Sequence, residues 1–425
     1  MYISRLALDH FRSWNNCLLH CENGINILYG KNGFGKTNIV EAIEVLSTGT
    51  SHRVSSVLPL IEREKTSATI RCNLYKDSNS SENTTLEVTL FARGANRARI
   101  NEGKSCYMRD ILGKLLSVSF TPQDQSIIMG DPSSRRNFIN QAGILLIPNY
   151  AKYLQEYVHT AQQRAACLKN IKENNIQEKQ LYLSTLEIWT GKLIETGIVL
   201  TRLRNKTINL LKPYFSEIVH NLSEGQNSDI SYKPSFEELD LNSNSENMLA
   251  NTLISEHFQR LYLGEVARGY NLIGPHRDDF IITLDNLPAK EFASNGESWT
   301  LALALKMALL KALEDSYNNK PIIILDDVFA QLDESRREQI LDFATKQGQV
   351  FITTTSLRDI PESRILDKAN LVDISSLKKE NNFDDDENIK IAKNIAQLRN
   401  NINYSLDDEN LEQEQDSSSC ESSVL

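Results

Sequence analysis

The feature that most constrains this chain is a glycine-rich stretch near its start. Residues 30–37 read Gly-Lys-Asn-Gly-Phe-Gly-Lys-Thr, the G-x-x-x-x-G-K-T pattern of phosphate-binding loops. The apolar run Ile25–Tyr29 predicts a buried strand before the loop, and apolar residues three or four apart predict a helix over residues 38–46. A strand, a glycine loop and a helix start, in that order, are the context in which this pattern binds a nucleoside triphosphate.

Each residue type in the loop has a physical reason. Glycines let backbone N–H groups turn towards phosphate oxygens, and the start of the following helix favours negative charge. Lys36 is expected to reach the β- and γ-phosphates, and Thr37 to place its hydroxyl on Mg²⁺. The alternative, a glycine-rich turn without a ligand, is disfavoured by the flanking strand and helix. The residues predicted to bind ATP are Gly30, Lys31, Asn32, Gly33, Phe34, Gly35, Lys36, Thr37 and Asn38.

Length and composition bound the class of protein. The chain has 425 residues, enough for two or three domains, with 40% hydrophobic and 24% charged residues. It shows no apolar run long enough to span a bilayer, and Met1–Phe11 has no apolar signal core, so we expect a cytoplasmic protein with no membrane partner. The formal net charge of −10 argues against a uniform coating by nucleic acid but does not exclude a local basic patch.

The pattern of apolar, polar and acidic residues along the chain predicts four regions. Residues 1–130 contain alternating strand patterns around the phosphate loop, of which Ser67–Tyr75 and Thr85–Phe91 predict an antiparallel hairpin, and they form the first part of an ATPase domain. Residues 131–270 repeat apolar residues every three or four positions and predict an inserted helical domain. Residues 271–375 return to buried strands, and residues 376–425 form an acidic tail that is predicted to be disordered. The predicted fold is therefore α/β, with a mixed sheet and an inserted α-helical domain.

Three finer predictions concern the helical region and the tail. Pro213 is predicted to end the second long helix, because proline cannot donate the helical hydrogen bond. Residues 223–245 are polar and predict a loop. In the acidic tail, apolar residues within 387–399 predict one transient helix.

A triphosphatase also needs acidic residues at the end of a core strand. Asp326 and Asp327 follow the apolar run at 322–325, so Asp326 is the candidate Mg²⁺ ligand and Asp327 the candidate general base for the attacking water. The alternative for this carboxylate pair is a helix N-cap. Far more chain separates Lys36 from Asp326 than a compact nucleotide-binding domain requires, which agrees with an inserted domain.

A polar turn between the two halves of the site completes the pattern. Residues 294–298 read Ser-Asn-Gly-Glu-Ser and stand directly before an apolar helix at 301–313. Alone, this turn is equally compatible with a plain helix cap. Together with the phosphate loop and the carboxylate pair, it matches the signature motif of ATP-binding-cassette (ABC) ATPases. In that superfamily the signature of one subunit covers the γ-phosphate held by the other, so Ser294, Gly296 and Glu297 are expected to act across a dimer.

With these motifs in place, the chain resembles the RecF family, bacterial recombination and gap-repair ATPases of the ABC superfamily that are related to SMC proteins. Four parts of the sequence carry the resemblance: 8–12 with 30–38, 120–124 with 130–138, 274–279, and 294–305 with 325–333. Two positions depart from the family pattern, because Gln123 and Gln331 stand where acidic residues are expected.

The resemblance implies a function and further site residues. It implies an ABC-type ATPase head in which Gln123 senses the γ-phosphate and metal, completing a catalytic set with Lys36 and Asp327, while Asp333 contacts the opposite subunit. ATP and Mg²⁺ are the implied cofactors, with weak, DNA-dependent hydrolysis; the lack of a switch histidine at residues 353–355 agrees with slow turnover. The implied partners are a second copy of the chain, double-stranded DNA near single-stranded gaps, RecO and RecR, in an ATP-driven clamp that helps to load recombinase.

Charge and clamp geometry suggest where DNA would bind. Basic residues meeting backbone phosphates would give salt-dependent binding with weak sequence dependence. For any single basic residue, a solvated surface charge is the alternative. His276 and Arg277 are equally compatible with a phosphate contact and with a contact between domains. The DNA candidates are Arg93, Arg97, Arg99, Lys104, Arg109, Arg135 and Arg136.

Three other classes of protein share parts of this pattern. The ATPase subunit of a membrane transporter would not need so large a helical insert. An SMC-type structural chromosome protein would need a much longer heptad coiled coil than residues 131–270 provide. An ATP-regulated nuclease would need a further acidic metal cluster, which the sequence does not suggest. DNA-stimulated ATP turnover separates the gap-repair hypothesis from the transporter subunit.

Overall fold

The protein is described by a computed structural model. The structure describes residues 1–54, 56–76, 83–101, 103–173, 176–223, 225–241, 248–329, 334–360 and 363–379. Two of the sequence predictions fall outside these residues: the role of Asp333, and nearly all of the acidic tail with its transient helix.

Most strands lie in the first part of the chain and near its described end, and a long helical stretch occupies the middle. The strands are β1 Tyr2–Phe11, β2 Trp14–His20, β3 Ile25–Tyr29, β4 Ser67–Tyr75, β5 Asn83–Phe91, β6 Arg97–Ile100, β7 Cys106–Tyr107, β8 Ser117–Phe120, β9 Ser228–Lys233, β10 Asp279–Leu284, β11 Leu287–Pro288, β12 Ile322–Asp326, β13 Val350–Thr354 and β14 Asn370–Asp373. The helices are α1 Lys36–Thr48, α2 Ser126–Met129, α3 Pro132–Leu146, α4 Tyr150–Glu173, α5 Ile176–Leu222, α6 Met248–Arg268, α7 Ala289–Phe292, α8 Asn295–Tyr317, α9 Glu334–Thr345 and α10 Ser363–Leu366.

An antiparallel sheet is built from the N-terminal part of the chain. Its strand order is β2-β1-β4-β5-β6-β7. Strands β4 and β5 pair from Ser67 opposite Phe91 to Tyr75 opposite Asn83, which confirms the predicted hairpin. The buried residues of β4 alternate with more exposed ones, as a sheet with one covered face requires.

A parallel sheet positions the nucleotide motifs. Its strand order is β14-β3-β13-β12-β8. Asp326 at the end of β12 pairs with Thr353, and Tyr29 at the end of β3 pairs with Thr354. The carboxyl ends of β3, β13 and β12 therefore meet at one edge, which β8 extends because it runs parallel to β12. Segments far apart in the sequence begin at this edge, the usual ligand-binding edge of such sheets.

Apolar side chains cover both faces of the parallel sheet. Ile27 and Leu28 are neighbours in β3, yet each lies in a different buried cluster. One cluster contains α1 and the antiparallel sheet, and the other contains residues of α3, α4, α5 and α8. The helical region thus shares a hydrophobic core with the head, and the domain boundaries at 131 and 270 stay a prediction. Within the described residues, every helix is too short or too polar to cross a membrane.

The helical region differs from two sequence predictions. Helix α5 continues through Pro213 to Leu222, so the prediction that this proline ends the helix is wrong. Leu211 and Phe215 flank the proline and are fully buried, and their packing compensates for the hydrogen bond that proline cannot donate. The predicted loop at 223–245 contains strand β9, because β9 pairs with β10 in a third, antiparallel sheet.

Candidate nucleotide site

The phosphate loop joins β3 to α1 in a conformation that depends on glycine. Gly30, Gly33 and Gly35 have φ angles of 145°, 82° and 100°, a region that other residues rarely adopt. A Cβ atom on Gly35 would also lie 2.6 Å from the indole nitrogen of Trp14. That Trp14 N–H donates a 3.1 Å hydrogen bond to the Gly35 carbonyl, so the β1–β2 hairpin fixes the position of the loop.

Lys36 begins α1 and folds back over the loop. Its Nζ donates to the carbonyl oxygens of Gly30 at 2.6 Å and Lys31 at 3.1 Å. Burial lowers the pKa of Lys36, and the charges of Asp327 and Asp326 partly offset this effect. The ammonium group therefore contacts the loop backbone and interacts electrostatically with the carboxylate pair. A γ-phosphate bound there would need this positive charge.

The two halves of the site meet at Thr37 and Asp326. The Thr37 hydroxyl donates a 3.0 Å hydrogen bond to Asp326 Oδ1, and the Thr353 hydroxyl donates one of 2.6 Å to the same oxygen. Hydroxyl and carboxylate oxygens are ligand types that Mg²⁺ prefers, and adjacent ligands of an octahedral ion lie about 2.9 Å apart. Thr37 and Asp326 therefore fit the predicted Mg²⁺ site.

Asp327 is held in an unusual backbone conformation. Its φ angle is 55°, and its N–H donates a 2.9 Å hydrogen bond to the Thr353 hydroxyl. Burial and the neighbouring Asp326 raise the pKa of the Asp327 carboxyl, whereas Lys36 lowers it. Asp327 is only partly buried, so the carboxylate can reach a water molecule at the sheet edge. Its assignment as the general base stays a prediction.

Gln123 lies on a short turn that α8 holds in place. The 3₁₀ turn Pro122–Gln125 follows β8, and the Gln123 side chain is exposed. Lys306 of α8 donates to the Ser119 carbonyl at 3.0 Å and lies 3.1 Å from Asp124 Oδ1. The other Asp124 oxygen accepts the N–H of Thr121 at 2.8 Å, so the position of the turn depends on Lys306.

A second connection joins the same turn to the start of α8. Gln125 Nε2 donates to the Ser298 hydroxyl at 2.8 Å and to the Asn295 carbonyl at 3.0 Å. The predicted signature begins this helix. The segment that carries Gln123 and the signature are thus linked within one chain, which the sequence did not suggest.

The signature residues form a helix cap in the structure. Glu297 donates its N–H to the Ser294 hydroxyl at 3.2 Å and accepts the Ser294 N–H at 2.8 Å. Gln226 also donates to the Glu297 carboxylate at 3.2 Å, and these bonds lower the pKa of Glu297. Gly296 lies in the first turn of α8. The capping role that the sequence left open is therefore present, and the role across a dimer stays a prediction.

The histidine of the Gly-Pro-His-Arg segment makes a structural contact. His276 Nδ1 lies 2.6 Å from the Tyr157 hydroxyl of α4, and Nε2 lies 3.1 Å from the Asn271 carbonyl. Burial lowers the pKa of His276. The next residue but one, Asp278, is buried and lies 3.4 Å from Arg204 of α5. The segment therefore anchors the helical region to the head, which favours the domain-contact interpretation of His276.

Several predicted DNA contacts share one exposed edge of the antiparallel sheet. Arg97 and Arg109 each place a guanidinium group near the ring of Tyr107, at 4.6 and 4.8 Å from its centroid. Stacking on the aromatic ring holds the arginines in place before DNA binds, so less side-chain entropy is lost on binding. The DNA candidates exposed on β6 and in the loops beside it are Arg93, Arg97, Arg99 and Lys104.

The structure corrects the DNA prediction for Arg135. Arg135 is 4% exposed and its Nε donates a 2.6 Å hydrogen bond to Asp279. It also donates to the carbonyl of Gly130 at 3.1 Å, at the end of α2. This arginine holds secondary structure together and is not available to DNA. Arg136 is partly buried and donates to the Asp278 carbonyl at 2.9 Å.

Sequence reasoning missed a buried carboxylate beside the phosphate loop. Glu41 of α1 is fully buried and pairs with Arg12 at 2.6 Å and Arg53 at 3.2 Å. Arg53 also donates to Asn38 Oδ1 at 2.9 Å, so these contacts brace the start of α1. The available signal was a glutamate one helical turn after Thr37 in a helix rich in apolar residues.

Comparison with known proteins identifies the family. The family model described as the RecF/RecN/SMC N-terminal domain matches residues 2–368. The DNA replication and repair protein RecF of Bifidobacterium adolescentis is 53% identical over 401 residues, which cover 93% of this chain and 96% of that protein. This chain belongs to the RecF family. RecF of Beutenbergia cavernae is 35% identical over 382 residues, covering 85% of this chain and 96% of that protein.

Solved structures of the same family confirm the fold. The recombination mediator protein RecF with ATPγS, of the RecFOR pathway, superposes with a TM-score of 0.75 and 29% identity, covering 88% of this chain and 97% of that one. RecF with ATP gives a TM-score of 0.73 and 30% identity, covering 84% and 93%. The predicted α/β head of ABC type with its helical insert is therefore correct.

Proposed function

We propose that this chain is an ATP-dependent DNA-binding protein of recombinational gap repair. In this proposal its ATP-bound dimer clamps double-stranded DNA next to a single-stranded gap and helps to load recombinase. Weak, DNA-dependent hydrolysis then resets the clamp. The observation that carries the proposal is the 3.0 Å hydrogen bond between Thr37 and Asp326, because it unites the phosphate loop with the acidic strand end in one site. RecF structures with ATP and ATPγS support ATP as the ligand.

The chain's own residues supply the parts that phosphoryl transfer needs. Loop N–H groups and Lys36 would hold the β- and γ-phosphates, and Thr37 and Asp326 would hold Mg²⁺, which neutralises phosphate charge when bound. Asp327 would accept a proton from the attacking water, and Gln123 would orient that water. Because Lys36 and Thr37 sit on a braced helix and Asp326 on a buried strand, these three side chains are positioned before the substrate arrives.

In this proposal the protein acts as a dimer, because the signature residues that cover a bound γ-phosphate come from the other subunit. In the proposed assembly, Ser294, Gly296 and Glu297 of one subunit would cover the γ-phosphate in the other. The start of α8 can bind an anion, because its first N–H groups and helix dipole favour negative charge. ATP would then hold two head domains together, and hydrolysis would release them. Asp333 would contribute to this contact as well.

The exposed arginines on β6 would meet the DNA backbone. The protein has an overall net charge of −10, so DNA would bind where basic residues are locally concentrated. Such a basic surface is formed by the exposed Arg93, Arg97 and Arg99. Contacts to backbone phosphates alone would give little sequence preference, which suits a protein that recognises a gap. RecO and RecR are the proposed protein partners, in the cytoplasm.

Solution mass tests the proposal directly. The protein would be measured by light scattering without nucleotide, with ATP, and with ATP and duplex DNA that contains a gap. A monomer that becomes a dimer only with ATP, and then retains DNA, agrees with the clamp. A constant mass with no retained DNA would contradict it and would leave only an ATPase of unknown purpose.

A further inference from the structure

A cavity of about 260 Å³ opens beside Gln123, on a side of the site that no sequence motif marked. Its walls come from the segment after α1, from the turn that carries Gln123, and from α3 and α8. The polar residues that matter for its chemistry are Thr121, Asp124, Lys306 and His52.

His52 is held in this wall by a buried carboxylate. Its Nδ1 lies 2.6 Å from Glu44 Oε2 on α1, and the side chains of the two residues are 15% and 4% exposed. Gln141 of α3 donates to the other Glu44 oxygen at 3.0 Å, so the carboxylate is fixed from both sides. A histidine whose Nδ1 is engaged in this way has its Nε2 available for another group. No described residue accepts or donates at that Nε2.

Two more donors in the same cavity are unused. The Thr121 hydroxyl is buried and donates a hydrogen bond to no described residue. Lys306 has three N–H donors, of which the Ser119 carbonyl and Asp124 take two. Asp124 also lines the cavity, but each of its oxygens already has a partner. Lys306, His52 and Thr121 thus line one cavity, and each has a donor that no described residue accepts.

We propose that this cavity is a subsite for a phosphate group, with His52 as its titratable cationic donor. The phosphate group could come from two sources. If it is the terminal phosphate of bound ATP, the inference rests on the proposed function. If it is free inorganic phosphate, the inference rests on the cavity alone. Both sources offer the same chemistry, a tetrahedral oxyanion that accepts several hydrogen bonds. Gln123 lines the same cavity, so the subsite adjoins the residue that is predicted to sense the γ-phosphate.

The charged groups around His52 favour its protonated, cationic form. Burial lowers the pKa of His52, but the hydrogen bond and charge of Glu44, with a contribution from Asp326, outweigh burial and Lys306 and raise the pKa overall. The imidazole therefore keeps its charge to a higher pH than an exposed histidine. Binding at the subsite should weaken as pH rises through the pKa of His52, because the deprotonated ring has lost its charge.

The first experiment isolates the cavity from the phosphate loop. Binding of inorganic phosphate is measured by calorimetry on the full chain carrying Lys36→Met, which disables the loop, with and without His52→Asn. The matched control is His20→Asn, since His20 is exposed on β2. We expect His52→Asn to weaken phosphate binding at least tenfold and His20→Asn to leave it unchanged. A sulfate titration, in which the probe stays a dianion near neutral pH, should lose affinity as pH rises only when His52 is present.

The second experiment addresses the terminal phosphate of ATP. The affinities of fluorescent ATP and ADP analogues are compared in the chain with a native loop, with and without His52→Asn. A subsite for the terminal phosphate predicts that His52→Asn lowers the preference for the triphosphate at least tenfold and leaves ADP affinity unchanged. Glu44→Gln keeps a hydrogen-bond acceptor but removes its charge, so it should shift the pH dependence to lower pH. This second variant tests the idea even if His52→Asn folds poorly.

The outcomes separate this inference from the proposed function. Loss of phosphate binding alone assigns the cavity to the product, and loss of triphosphate preference alone assigns it to bound ATP. If folded His52→Asn and Glu44→Gln proteins match the parent in both experiments, the subsite does not exist. Failure of the native chain to bind any ATP analogue would instead contradict the proposed function, while the phosphate titration would still decide about the cavity.

Discussion

Lys306 Nζ lies 3.1 Å from Asp124 Oδ1, and this ion pair joins the helix that begins at the signature to the turn that carries Gln123. Lys306 is 5% exposed, and hydrogen bonds from Gln125 to the start of α8 reinforce the connection. In the proposed dimer, Gln123 would act on ATP in its own subunit and the start of α8 on ATP in the partner. One chain would thus connect two nucleotide sites.

Replacing Lys306 tests this connection. Lys306→Met should reduce the cooperativity of ATP turnover, so that the Hill coefficient approaches one. The reason is that the substitution removes the Lys306–Asp124 ion pair, which connects the two nucleotide sites through one chain. It should also lower stability by about 3 kcal/mol, since Asp124 is left with a largely buried, unpaired charge. The checks are ATP turnover against ATP concentration and denaturant unfolding. Lys311→Met, at an exposed position of the same helix, is the control. A folded Lys306→Met protein with unchanged cooperativity would contradict the connection.

Lys36→Met should abolish ATP binding and ATP-dependent dimerisation. The substitution removes the positive charge that the loop carbonyls hold in place, while an unbranched side chain of similar length remains. Fluorescent-nucleotide titration and light scattering are the measurements. Lys65→Met is the control, because Lys65 is exposed and lies outside the phosphate loop. Normal ATP-driven dimerisation of Lys36→Met would rule out the switch.

Asp327→Asn should bind ATP but hydrolyse it at least a hundredfold more slowly, since asparagine cannot accept the proton of the attacking water. The ATP-bound dimer should therefore accumulate. Released phosphate and solution mass are followed over time in the same sample. Asp342→Asn, an exposed carboxylate on α9, should behave as the parent. An unchanged hydrolysis rate in Asp327→Asn would show that another group is the base.

Arg97→Ala should weaken DNA binding and reduce the slope of log affinity against log salt by about one, the change expected for one lost phosphate contact. Tyr107→Ala should have a similar but smaller effect, because it frees two restrained arginines, whereas Tyr107→Phe keeps the ring and should match the parent. Binding to gapped duplex is measured by fluorescence anisotropy over a range of salt concentrations. An unchanged slope in Arg97→Ala would remove β6 from the DNA surface.

Arg135→Met should destabilise the protein by about 3 kcal/mol without changing DNA affinity per folded molecule. The guanidinium is buried and paired with Asp279, so its loss leaves a carboxylate without its partner. Denaturant unfolding gives the stability, and anisotropy at a temperature where the variant is folded gives the affinity. If stability is unchanged but the salt slope falls, Arg135 contacts DNA.

Local sequence determined the parts of this protein that depend on short stretches of chain. The backbone conformations at Gly30, Gly33 and Gly35 are ones that other residues rarely adopt, so eight residues were enough to predict the phosphate loop. Apolar spacing predicted the β4–β5 hairpin and the buried strand before Asp326, because alternation and continuous apolar runs are also local patterns. The family resemblance then supplied the fold class.

Only the tertiary structure decided which distant residues meet. Thr37 and Asp326 were each predicted to bind Mg²⁺, but they come within hydrogen-bond distance because two parallel strands end at one edge, an arrangement that no local pattern records. Burial withdrew Arg135 from the DNA candidates, since an arginine's partner cannot be read from its neighbours in sequence. Packing likewise carried α5 through Pro213, where the local rule predicted an end. Contacts between residues far apart in the chain depend on how whole elements pack, and that is a property of the folded molecule alone.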